Sequence, residues 1–162
     1  EWVTLALLPH IPKRIKTVWE PTCASGKMVR ALQQRFKTVY ATDITAGPQT
    51  HGWQIYGRDF LKEQRCEYDA IITNPPYILA QDFIRHALYL TRPSGFIAML
   101  LRTDFDHAKS RAHLFTHSPF AKKLVLRQRI RWIEGSTGSP SFNHAWFIWD
   151  WHHEGSPVIA YH

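Results

Sequence analysis

The stretch Asp69-Ala70-Ile71-Ile72-Thr73-Asn74-Pro75-Pro76-Tyr77 decides how the chain is read. A short apolar run halts at an amide, two prolines and an aromatic ring, the pattern of a buried strand delivering polar groups to its carboxyl edge. In open α/β sheets that edge is where ligands bind. Each proline fixes its own φ and lacks an N–H, so the turn is stiff and its carbonyls have few local donors. The Asn74 side-chain oxygen and the Pro75 carbonyl can then accept both hydrogens of one planar amino group, which aims the nitrogen lone pair out of the plane. Pro76 keeps the turn rigid, and Tyr77 offers a face on which the ring carrying the amine can stack.

A second polar edge precedes the first. Ile15 to Trp19 reads as a buried strand running into Glu20-Pro21-Thr22-Cys23-Ala24-Ser25-Gly26, after which a helical stretch continues through Leu32. Strand, small-residue loop and helix in this order let the backbone approach a ligand closely. Lys37 to Thr42 gives a second strand closed by Asp43, whose carboxylate can accept from both hydroxyls of a ribose. Ile44 beside it offers an apolar wall for a base. Glu20 reads either as a surface carboxylate at a strand end or as a group that reaches a ligand's amine through water.

At these residues the chain resembles the class I S-adenosylmethionine-dependent methyltransferases, specifically the adenine-type amino-methyltransferases marked by Asn/Asp-Pro-Pro-aromatic. Glu20 to Gly26 resembles their first cofactor motif, Glu-Pro-x-x-Gly-x-Gly, with Ala24 in place of the first glycine. Gly57-Arg58-Asp59-Phe60 resembles the segment in which an aspartate binds the adenine amine and the next residue packs on the ring. An equally weighted reading makes Asp59 the N-cap of a short helix from Phe60 to Glu63. The family's amino-terminal aromatic-Thr-Pro element is not found in Trp2 to Leu8, a short helix ended by Pro9 and Pro12, so it is expected upstream or absent. The chain starts at Glu1 rather than methionine, and its native start is expected further upstream.

Beyond Tyr77 the periodicity predicts a crossover helix over 80–90 with Phe83, Ala87 and Leu90 on one face, a solvated His86, and a central strand over 96–101. That strand ends in Arg102-Thr103-Asp104, at the same edge as Asn74. A helix is expected from about His107 to His117. His113 and His117 have a metal-compatible spacing, but with no HExxH pattern and no nearby cysteine no metal is expected. Strict alternation over Leu124 to Trp132 predicts a strand with Arg127, Arg129 and Arg131 on one face, suited either to phosphates or to a solvated outer edge. A loop over 134–141 and a strand over Phe142 to Trp149 complete an antiparallel hairpin. The resemblance places Phe142, Asn143 and His144 beside the target base, while Trp146, Phe147 and Trp149 read as core. The tail from His152 to His162 reads either as an extra strand or as a remnant, and no role is assigned to it.

The expected fold is therefore a Rossmann-like three-layer α/β/α methyltransferase domain with five parallel strands and a carboxyl-terminal antiparallel hairpin. At 162 residues the chain is expected to form one catalytic domain. Only residues 61–67 separate the two halves, which leaves no room there for a separate target-recognition domain. A net charge of +7 and a pI near 9.7 favour a polyanionic partner, DNA in particular. Two distant cysteines and no bilayer-length apolar run suit a cytoplasmic protein without disulfides. What the resemblance implies is methyl transfer from S-adenosyl-L-methionine to the exocyclic amine of adenine in DNA, with specificity coming from loops, a homodimer or a separate partner. The same motif also fits RNA adenine or protein glutamine as acceptor. A reading of another class is a catalytically inactive scaffold that binds nucleic acid through the arginine strand or supports a partner. Ala24 and the missing amino-terminal element favour that scaffold; the intact Asn-Pro-Pro-Tyr opposes it.

Overall fold

The computed structural model describes residues 1–45, 56–132 and 142–162. The expected loop over 46–52, the start of the strand over 53–56 and the loop over 134–141 fall outside the described residues.

Alternating apolar residues build the sheet. In strands β1 (Thr17–Glu20), β4 (Ala70–Thr73) and β5 (Phe96–Arg102), successive side chains face opposite layers. Val18, Ala70, Ile72, Phe96, Ala98 and Leu100 enter one core; Trp19, Ile71, Ile97, Met99 and Leu101 enter the other. Such runs, buried on both faces, are what a covered parallel sheet requires. Helix α1 (Trp2–Leu7) packs on the first face with α2 (Lys27–Leu32), and α3 (Ala80–Thr91) covers the second. The layers are therefore three, as expected.

Strand β2 (Thr38–Asp43) pairs parallel with β1, and the short β3 (Tyr56–Gly57) pairs parallel with β2. On the other side β1 pairs with β4 and β4 with β5, which completes five parallel strands. Strands β6 (Phe120–Val125) and β7 (His144–Asp150) form the antiparallel hairpin, with β7 beside β5. Trp146, Phe147 and Trp149 are fully buried, as the aromatic run predicts. The tail does form a strand, β8 (Val158–Tyr161), parallel to β6 at the end of the order β3-β2-β1-β4-β5-β7-β6-β8. The winding reverses between β1 and β4, so the carboxyl ends of these two neighbours flank the crevice that binds ligands in this architecture.

Two expectations fail. The helix over 107–117 is replaced by 3-10 turns at Phe105–His107 and Lys109–Arg111 and a four-residue helix α4 (His113–Thr116). Only Phe105 and Leu114 are buried there, so the segment has no continuous apolar stripe to dock a long helix. The arginine strand also fails, because β6 ends at Val125. From there the Leu126 N–H bonds the His144 carbonyl and the Arg127 N–H turns to the His162 carbonyl. Ile130 is drawn into the core beside Trp146, which bends 127–132 back over the sheet edge instead of extending it. Among the described residues no helix is long and apolar enough to cross a membrane.

Candidate functional site

The elbow after β4 is built as its sequence implies. Pro75 is buried, Pro76 is exposed with φ −55°, and Tyr77–Leu79 form a 3-10 turn that runs into α3. The Leu79 N–H donates to the Pro76 carbonyl at 2.9 Å. Asn74 presents its side-chain oxygen Oδ1, which is buried and has no hydrogen-bond partner. An orphaned buried acceptor costs about 1–3 kcal/mol, so its persistence at a cleft marks a place for a donor from a ligand. The Asn74 carbonyl is engaged, because the Thr22 hydroxyl lies 3.1 Å from it.

Thr22 joins the two sheet ends. Its hydroxyl lies 2.5 Å from that of Thr73, which donates to Glu20 Oε1 at 2.5 Å, and the Thr22 N–H reaches the same carboxylate oxygen at 3.0 Å. Glu20 is therefore no surface carboxylate: it is 1% exposed. Burial pushes its carboxyl up to about 7, against the pull of the Thr73 and Thr22 donors. Cys23, the neighbouring thiol, is pushed up to about 12 by burial and then by the charges of Glu20 and Asp43, so it is an unreactive core group. Pro21 is buried at the start of this loop.

The loop turns through two left-handed residues, Ala24 at φ 43° and Gly26 at φ 77°. Glycine adopts that conformation freely and alanine at a cost, so Ala24 fills a backbone position built for the residue it replaces. Asp43 secures the turn: its Oδ2 accepts from the Ala24 N–H at 3.1 Å and its Oδ1 from the Thr45 N–H at 3.2 Å. A carboxylate has about four acceptor sites, so capacity for ribose hydroxyls remains. Ile44 follows, 73% exposed at the rim.

Part of this edge opens onto a cleft of about 740 Å³, beside which Asp43 stands through its bond to Ala24. Glu20, Thr22, Ala24 and Asn74 line one side; Trp2, Val3 and Thr4 of α1 line another. Helix α1 therefore walls the cleft with Trp2 and Thr4, which Val3 separates and no proline follows, so they do not form the aromatic-Thr-Pro element. Its placement is enforced by Trp146, whose indole N–H donates to the Val3 carbonyl at 2.8 Å, and by an Arg30–Glu1 ion pair. Gln128, Arg129, Arg131 and Trp132 close the cleft from above. Sequence alternation missed this role for Trp132, since a strand would have turned it toward the core.

Tyr77 stands on the other side of the elbow. Its hydroxyl is 2.8 Å from His144 Nε2 and the two rings are stacked 6.1 Å apart, while Trp132 meets His144 edge-on at 5.3 Å. His144 is thus a buried support for Tyr77 rather than an exposed group, and burial lowers its affinity for a proton. Asn143 Oδ1 accepts from Arg129 Nε at 3.0 Å and its carbonyl accepts from the Thr103 N–H. Arg102 pairs with Asp104 at 2.7 Å and lies 4.1 Å over the Phe142 ring.

Three expected residues have partners outside the cleft, although Asp59 follows Arg58, whose N–H donates to the Asp43 carbonyl at 2.7 Å. Asp59 is an N-cap, accepting from the Leu61 N–H at 3.1 Å, and it also pairs with Lys62. Phe60 is buried among Trp19, Phe83 and His86. His86 is accordingly half-buried rather than solvated. Arg127 donates to the His162 carbonyl at 3.2 Å. Among the described residues no three His, Cys, Asp or Glu side chains gather so as to hold a metal ion.

No protein-family model matches the chain, and no curated protein sequence matches it. Solved structures do resemble it. A predicted O-methyltransferase from Agrobacterium tumefaciens aligns with 98% of this chain and 84% of its own at 14% identity, TM-score 0.62. The 23S rRNA methyltransferase ErmE aligns with 96% of this chain and 68% of its own at 15% identity, TM-score 0.65. A chain from a type I restriction-modification system aligns with 99% of this chain and 43% of its own at 16% identity, TM-score 0.61. At these identities the likeness is one of fold, and the fold is the Rossmann-like methyltransferase domain.

Proposed function

We propose that this chain is an S-adenosyl-L-methionine-dependent methyltransferase acting on the exocyclic amine of adenine in DNA. The observation that carries the reading is the buried, unpartnered Asn74 Oδ1 at the cleft edge, directly after β4. It is an acceptor in want of an N–H, and the Pro75 carbonyl is the natural second acceptor for the same amine.

The cleft, together with the strand end at Asp43 and Ile44 beside it, fits the cofactor. Asp43 would hold the ribose hydroxyls, the Ala24–Gly26 turn would pass along its backbone, Ile44 would flank the adenine, and Trp2 and Thr4 would border the methionine end. Glu20 acts from beneath the loop, positioning it through Thr22. Asp59, next to the Asp43 strand end, would keep acceptor capacity for the adenine amine beside its capping bond, whereas Phe60 is core. When bound, the cofactor supplies an electrophilic methyl group on a sulfonium. Asn74 and Pro75 orient the acceptor nitrogen so that its lone pair forms the new N–C bond while the C–S bond breaks. The amine then releases a proton to solvent, and no strong base is required. Tyr77, fixed by His144, gives the acceptor ring a face to stack on. A paired adenine hides its amine, so the base must leave the helix first.

RNA adenine is the second acceptor reading, favoured by the likeness to a 23S rRNA methyltransferase. In either case the chain acts as one catalytic domain whose specificity comes from its loops, a second copy or a partner. The test is incubation with labelled cofactor and DNA, RNA or protein acceptors, followed by identification of the modified nucleoside or residue. Asn74→Ala is expected to lower transfer at least a hundredfold while cofactor affinity, read by calorimetry, stays within about twofold. Undiminished transfer by the variant removes the mechanism. Absence of cofactor binding by the wild type favours the inactive scaffold.

A further inference from the structure

A second pocket, of about 280 Å³, is lined by Tyr77 and runs to Arg111. Arg102, Asp104 and Phe105 line it between those two residues. Of the charges that line this pocket, all but one are matched among the described residues. Asp104 is held by Arg102 through two hydrogen bonds, and Asp106 is held by Lys123 at 2.7 Å. Arg111 is half-buried, and among the described residues its guanidinium has no carboxylate or carbonyl partner. Its guanidinium carbon lies over the Phe105 ring, 4.2 Å from the centroid, and its N–H groups remain available. A preorganised planar fork with unused donors, partly desolvated on an aromatic ring, suits a bidentate oxyanion.

We propose that the pocket between Tyr77 and Arg111 is an anion subsite that takes a phosphodiester of the acceptor strand beside the methylated base. This rests on the nucleic-acid reading of the site given above, because Tyr77 is shared between the elbow and the pocket. A strand whose base stacks on the face of Tyr77 that His144 leaves open carries its neighbouring phosphate to the pocket that the same residue lines. Arg102, fixed by Asp104 and Phe142, forms the pocket wall, and Arg111 makes the contact.

Neutralising one phosphate changes how binding responds to salt, by about one unit in the slope of log K against log salt concentration. Fluorescence anisotropy with adenine-containing single-stranded and duplex oligonucleotides is the measurement, on wild type, Arg111→Gln and Arg111→Lys. Arg111→Gln is expected to flatten the slope by about one, and Arg111→Lys, which keeps the charge, is expected to retain it. An oligonucleotide with a methylphosphonate at the contacted position is expected to weaken wild type but not Arg111→Gln. If Arg111→Gln keeps the wild-type slope while wild type still binds and methylates nucleic acid, the subsite is overturned and the acceptor reading stands. If wild type shows no salt-dependent binding to any oligonucleotide, or transfers methyl groups only to protein, the acceptor reading falls and the subsite with it.

Discussion

Replacing Glu20 with glutamine should change how stability depends on pH, by an amount the burial of that carboxyl sets. Its ordinary value of 4.5 rises to about 7 in the folded chain, with burial as the main cause. That difference corresponds to about 3 kcal/mol, at roughly 1.4 kcal/mol for each tenfold change in proton affinity. The sign follows from which state holds the proton. Between about pH 4.5 and 7 the folded chain keeps Glu20 protonated while the unfolded chain has released the proton, so folding takes one up. The stabilisation is therefore fully present below about pH 4.5, declines as pH rises, and is gone above about 7. Glutamine is neutral throughout and can accept from the Thr73 hydroxyl and the Thr22 N–H with its carbonyl oxygen. Urea unfolding of both proteins at a series of pH values isolates this group, since other titrations cancel in the difference. The variant is expected to gain about 3 kcal/mol on the wild type between about pH 4.5 and 7 and then to run parallel to it. Parallel profiles across the whole range would refute the account of a carboxyl held neutral by burial.

Ala24→Gly should relieve the left-handed strain at φ 43°. Part of the relief is offset by the freer unfolded chain, leaving a gain of up to about 1 kcal/mol, read as a rise of about 2–4 °C in Tm; a midpoint that does not rise counts against that turn. Gly95→Ala should have the opposite effect, because a Cβ there would sit 2.5 Å from Thr91 Cβ and 2.9 Å from the Thr91 carbonyl at the end of α3. The expected loss is about 1–3 kcal/mol in chemical unfolding, and an unchanged midpoint would mean that α3 does not close on β5 as described.

Much of the scaffold was legible because its signals are local. The run Ala70 to Thr73 had to be a buried strand, and Asn74-Pro75-Pro76 had to end it, since prolines cannot continue a central ladder. Asp43 at the end of β2 and the Ala24–Gly26 turn were likewise legible, because strand ends and small residues announce themselves within a few positions. Arg127 to Trp132 shows where local reasoning stops. Its alternation is real, yet pairing partners run out after Val125 and burial of Ile130 gains more than an exposed edge would, so the segment folds over the cleft. Phe60 failed in the same way: the resemblance put its ring at a ligand, and the aromatic cluster around Trp19 absorbed it.

By itself the sequence determined the strand endings, the rigid elbow and the order in which loop, carboxylate and amide appear along the chain. Only the tertiary structure decided that Thr73, 53 positions from Glu20, donates to its carboxyl, that α1 walls the cleft, and that His144 holds Tyr77. The physical reason is range. Propensity, periodicity and turn chemistry act over a few residues, whereas burial, proton affinity and ring contacts depend on which distant elements the sheet order brings together.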